Sequence, residues 1–188
     1  MMRTAAVMVV AVGALGCGDA GGLCDQSLAS STSALSPPPP ESVAALARDV
    51  RRVGGLVFRG AVVGGRRSLP PVRVMTGTNL TLVSQRAGAT VRVTDALGGA
   101  APSAVDIVSR TGRDSVVDSL GCPAGGSSGL TTSTQQEVPA EGEWVFFVYQ
   151  LEGQRVMTWR AAIVGDAVSN EGTMAQGSVP IGDLRAME

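Results

Sequence analysis

The residues of this chain that could do acid–base chemistry are two carboxylate pairs, Asp114 with Asp118 and Glu141 with Glu143. Held at a suitable separation, two carboxyl groups can shuttle a proton or cleave a glycosidic bond. The plainer role for both pairs is solvated charge at strand ends, and Asp106, in AVDIV, sits on the polar side of an apolar run. Most familiar enzyme designs are excluded by inventory, because the chain has no His and no Lys and all fifteen of its basic residues are Arg. Ser-His-Asp and Cys-His machinery, imidazole metal ligands, Schiff bases and Ser-Lys dyads therefore cannot be assembled. The stretch VGGRR at residues 63–67 lacks both a GxGxxG pattern and the lysine of a phosphate-binding loop. Calcium ligation by Asp114, Asp118 and loop carbonyls lacks the regular Asp-x-Asp-x-Asp-Gly spacing. The sequence thus predicts a non-catalytic protein with no metal and no cofactor. A formal net charge of −1, with Arg51-Arg52 and Arg66-Arg67 as the basic pairs, also argues against a nucleic-acid partner.

Three cysteines remain, Cys17, Cys24 and Cys122. Cys17 follows a short positive start, Met1-Met2-Arg3, and an apolar run over residues 5–15 that is too short to span a bilayer as a helix. The segment Ala14-Leu15-Gly16-Cys17 resembles the lipobox of bacterial lipoproteins, with Gly16 and Cys17 matching and the order of Ala14 and Leu15 departing from the usual pattern. The resemblance implies a signal peptide over residues 1–16, a diacylated Cys17 and anchorage to the cell envelope, with the outer membrane favoured over the inner. Ordinary secretion or a periplasmic location, with cleavage near Ala20, is the alternative. Residues 17–41 then read as a tether, rich in Ser and ending in Pro37-Pro38-Pro39-Pro40, with a root-mean-square span of roughly 25–30 Å. With Cys17 acylated, Cys24 and Cys122 form an even pair in an oxidising compartment. A disulfide between them would close a loop worth about 4–5 kcal/mol in the chain-entropy picture; two free thiols are the competing state.

The elements that would position these groups follow from periodicity. Residues 42–52 predict a helix, with Ser42 as cap, Val43, Leu46, Ala47 and Val50 on one face, and Gly54-Gly55 as terminator. Residues 56–63, 72–76, 79–85, 90–96 and 104–110 are short, rich in β-branched residues and bounded by Gly, Pro or charged turns, the pattern of an all-β barrel or sandwich. The chain centres on residues 143–164, EWVFFVYQLEGQRVMTWRAAIV, which hold five of its six aromatic residues. They predict a β-hairpin turning at Glu152-Gly153, and its first arm is apolar on both faces and so demands cover on both sides. Residues 120–134 predict a long Gly/Ser/Thr-rich loop. Asn79-Leu80-Thr81 fits a glycosylation sequon, a chance match in a bacterial lipoprotein.

The order of helix, LVFRGAVV, ATVRVTDALGGAAPSAVDIVSRTG, Cys-bearing loop and GEWVFFVYQLEGQRVMTW resembles a set of uncharacterised secreted bacterial domains. It is also distantly similar to the netrin-like, tissue-inhibitor-of-metalloproteinase barrel, a variant of the OB-fold. The resemblance spans residues 43–163. It implies a mainly β protein, a small OB-like β-barrel over residues 42–188 with one short N-terminal helix. It does not carry the family's inhibitory activity, since an acylated Cys17 offers no free amine to a protease zinc and three cysteines cannot supply the family's disulfides.

These readings lead to an envelope-anchored binding or structural module that meets the membrane through its lipid and a protein or glycan through its surface. Phe147, Tyr149 and Trp159, on the outer face of the aromatic hairpin, are the candidate interaction surface, together with the loop at residues 120–134; the plainer arrangement covers that face with the helix at residues 43–50 and the C-terminal tail. An inhibitor of an extracellular hydrolase and a hydrolase built on a carboxylate pair are the alternatives.

Overall fold

A computed structural model describes residues 39–75, 80–118, 130–131 and 136–187. Helix α1, Val43–Arg52, forms as its sequence directs. The hydroxyl of Ser42 accepts the N–H of Ala45 at 3.1 Å, and Val43, Ala47 and Val50 are buried on one face. Its end is a Schellman turn in which Gly54 donates to the Arg51 carbonyl and Gly55 to that of Val50, both at 2.8 Å. Gly54 takes φ +74°, and a side chain at Gly55 would lie 2.6 Å from the carbonyl oxygen of Val148, so the helix stops and the next strand starts flush against it.

The strands are longer than the sequence suggests. β1 runs Leu56–Met75, β2 Leu80–Ala96 and β3 Ala104–Asp118, with the two-residue β4, Leu130–Thr131, beside β3. Gly64-Gly65 and Pro70-Pro71, expected to end strands, instead fall in register irregularities between Val63 and Arg67 and between Leu69 and Val72. Gly64 and Gly65 absorb the first irregularity at φ +78° and +74°. The prolines lie in the second, where the ladder asks for no N–H. The stretch at residues 86–88 likewise does not turn but continues β2, pairing regularly with residues 108–110 of β3; the one irregularity of that ladder falls between Ser84 and Arg86, with the extra residues on β3.

β5, Glu143–Leu151, and β6, Gln154–Ala161, form the expected hairpin. Glu152 and Gly153 at its turn take φ +48° and +76°, both positive as a type I′ turn requires. With β1, β2 and β3 these strands close a ring in the order β1-β2-β3-β6-β5 and back to β1. Every junction in the ring is antiparallel except β3 with β6, which is parallel through Val108 and Val156.

Apolar alternation on β5 divides the core in two. Phe146 and Val148 join Phe58, Ala89, Val91, Val105, Ile107, Val138 and Met157 within the ring. Phe58 and Phe146 face each other across the β1–β5 ladder and stack at 5.5 Å. Val145 and Phe147 point the other way, into a layer shared with α1, Trp159, Val168, Ile181 and Leu184. In a regular strand Met157 and Trp159 would share a face. An irregularity opposite Phe147 and Val148 leaves Thr158 unpaired, which sends Met157 into the ring and Trp159 into the outer layer.

The chain beyond the hairpin completes that outer layer. β7, Ile163–Val164, β8, Ala167–Ser169, and β9, Ser178–Pro180, make a small antiparallel sheet leading into α2, Ile181–Ala186. Arg51, at the end of α1, donates to the carbonyls of Leu97, Leu184 and Met187, and so ties both helices to the end of β2.

Candidate functional site

Two of the three aromatic residues of the candidate surface are covered, as the plainer arrangement expects. Phe147 is fully buried and Trp159 is 7% exposed, because α1 and the C-terminal elements cover the outer face of β5. Tyr149 is half-buried at the margin of the same layer, and burial raises the pKa of its phenol. The two-sided apolar pattern of β5 therefore records two packed layers. Cys17, Cys24 and Cys122 lie outside the described residues, as does the loop at 120–134 apart from the backbone of β4.

No hydrogen bond or ion pair joins Glu141 to Glu143, and of Asp114 and Asp118 the backbone alone is described. Asp114 and Asp118 stand four residues apart on β3, about 13 Å at the backbone of an extended strand. Glu143 is taken up by Arg59 at 2.7 Å and by the Thr94 hydroxyl at 2.8 Å. These two hydrogen bonds hold its carboxyl below the usual carboxylate range, which favours the ionised form and disfavours proton donation near neutral pH. Glu141 is exposed and lends its backbone carbonyl to the Trp144 indole N–H at 3.0 Å. Among the described residues no three acidic or Cys side chains come together to hold a metal ion.

A groove does form where the long strands leave the ring and pass the β5–β6 turn. It encloses about 450 Å³, within the range of roughly 300–1,000 Å³ typical of small-ligand sites. Arg67, Leu69 and Pro70 come from β1, Arg86 from β2, Asp106 and Val108 from β3, and Gln150, Gly153, Gln154 and Arg155 from the hairpin. Three strands and a turn thus converge on one open cleft with an aliphatic floor of Leu69, Pro70 and Val108 and a polar wall.

The polar wall is ordered by its own hydrogen bonds. Arg67 donates to Asp106 Oδ1 at 3.2 Å and to Thr90 Oγ1 at 3.4 Å, while Thr90 donates to the same Oδ1 at 2.5 Å. The Asp106 carboxyl is held low, first by Thr90 and then by Arg67. Arg86 donates through Nε to the Pro70 carbonyl at 3.0 Å and through Nη1 to Gln154 Oε1 at 3.2 Å, so its partners among the described residues are neutral. Gly88 keeps the wall open. A Cβ there would come within 3.1 Å of Leu69 and 3.4 Å of Arg67 Nε.

Sequence reasoning noticed Arg66-Arg67 and Asp106 but gave neither a role, and it passed over Arg86, Gln150, Gln154 and Arg155. Their one local signal is that Gln150, Gln154 and Arg155 flank the Glu152-Gly153 turn. No family model matches the chain, and no match is found among curated proteins or solved structures.

Proposed function

We propose that this chain is an envelope-anchored lipoprotein, acylated at Cys17 and held off the membrane by the tether over residues 17–41, whose folded domain is a non-catalytic binding module of the OB-like kind. The ring order β1-β2-β3-β6-β5-β1, with its one parallel junction between β3 and β6, is what supports the OB-like reading. In OB-folds ligands lie across the second and third strands and against the loops joining strands one to two and four to five. Arg86, Asp106 and Val108 lie on the second and third strands of this ring, and Gly153 on the turn joining its fourth and fifth. That coincidence of an ordered polar groove with the ligand face of the fold carries the binding reading.

Two arms test it. Growth with a labelled fatty acid should tag the wild type and spare Cys17→Ala; equal labelling of both rejects the anchor. Immobilised full chain should retain an envelope component that a Gly88→Leu variant, with its groove filled, releases. Equal retention by both rejects the groove as the binding face.

A further inference from the structure

The charges of the residues that line the groove do not cancel. Arg67 is paired with Asp106, the one acidic residue among those lining it. Arg86 is held by a carbonyl and an amide oxygen, neither of which carries charge. Arg155, half-buried at the start of β6, has no ion pair among the described residues. Among the described residues one carboxylate, Asp106, thus faces three guanidinium groups, since the field of Arg155 reaches it as well; positive charge is in excess at the cleft, and Arg86 is already oriented, which lowers the entropy lost when it meets a ligand.

The remaining lining decides what kind of anion fits. Gln150 and Gln154 offer amide donors and acceptors, and Leu69, Pro70 and Val108 offer an aliphatic floor, but no aromatic ring lines the cleft. Single-stranded nucleic acids gain their sequence-tolerant affinity from bases stacked on aromatic side chains, so the groove lacks that grip. A neutral sugar, without an aromatic platform, has only weak hydrogen bonds in competition with water to hold it. An acidic sugar gains charge-assisted, bidentate contacts to planar guanidinium groups, sets its hydroxyls on the two glutamines and lays its C–H face on the aliphatic floor. An open cleft also lets a chain of such sugars run through.

We infer that this groove binds an anionic oligosaccharide, its carboxylate or sulfate seated on Arg86 and Arg155. The inference rests on the binding-module reading above and gives that module its ligand class. Titration calorimetry on the full chain, with hexagalacturonate, its neutral methyl ester, sulfated maltohexaose and an eight-residue oligothymidylate, tests it. Hexagalacturonate or sulfated maltohexaose should bind at least tenfold more tightly than the methyl ester, and the binding should weaken as salt is added. The tighter of the two acidic probes identifies the charged group. Arg155→Gln should weaken that binding about tenfold, and Arg86→Gln at least as much, with unchanged thermal unfolding for Arg155→Gln, while Arg185→Gln, on α2, leaves it unaltered. Equal affinity for the methyl ester overturns the anionic ligand and leaves the binding module standing. Absence of binding by every oligosaccharide overturns the ligand class, and retention lost in Gly88→Leu would still support the module. Tighter binding of oligothymidylate than of either acidic hexamer overturns the glycan assignment in favour of nucleic acid.

Discussion

Asn170 accepts the backbone N–H of Val43 through its side-chain oxygen at 3.0 Å, across 127 residues of sequence. Val43 opens α1, where the first N–H groups have no partner within the helix. Asn170 is 6% exposed, and its own N–H is fixed to the Gly177 carbonyl at 3.0 Å. The segment after β8 therefore caps the helix before β1, and the ends of the folded region stabilise each other.

Asn170→Ala strands the Val43 N–H in a buried site, and an unsatisfied buried donor costs about 1–3 kcal/mol. A urea midpoint lowered to that extent at unchanged slope is the expected result. A shift within about 0.5 kcal/mol would mean that the N–H finds another partner.

The two phenylalanines at the middle of β5 are expected to be equally costly to remove. Phe146 packs in the ring and Phe147 in the outer layer, and both are fully buried. Truncation of either to Ala should destabilise by about 3–5 kcal/mol. A solvent-facing Phe147 would instead give a change within about 0.5 kcal/mol. Paired unfolding curves distinguish the two arrangements.

Helix α1, the aromatic hairpin, its turn and the demand of β5 for cover on both sides were legible because each depends on residues close in sequence. Strand lengths were not. Gly64-Gly65, Pro70-Pro71 and Gly88 carry the same local signal whether the chain turns, bulges or runs straight on, and only the partner strand decides which. The groove was hidden for a related reason, since Arg67, Arg86, Asp106 and Arg155 meet through the register of three long strands and share no motif. Phe147 and Trp159 were left between two readings because an apolar face looks the same in sequence whether a partner or the chain's own tail covers it, and here the helix and the tail cover it.

Glu152 is the one non-glycine residue among those described with positive φ, at +48°. Its side chain is exposed at the tip of the turn, so the backbone strain has no contact to offset it. Asn tolerates that conformation better. Glu152→Asn should stabilise the protein by a few tenths of a kcal/mol up to about 1 kcal/mol, read as a raised melting temperature. A lowered one would show that the Glu152 carboxylate serves the fold.

Acid sensitivity should trace to two surface carboxylates. Glu143 is held below its usual range by Arg59 and then Thr94, and Asp106 by Thr90 and then Arg67. A group whose folded pKa is depressed contributes stability that is present above its unfolded value, about 4 for Asp and Glu, and lost as pH falls through the folded one. With no His in the chain, no side chain of ordinary pKa titrates between about pH 5 and 7. Stability should therefore be flat from pH 7 to about pH 5 and decline below about pH 4.5. The Glu143→Gln, Asp106→Asn double variant should begin less stable at pH 7 and lose less on acidification, so that the two urea-midpoint curves converge toward pH 3. Parallel curves would place the acid-sensitive carboxylates elsewhere in the chain.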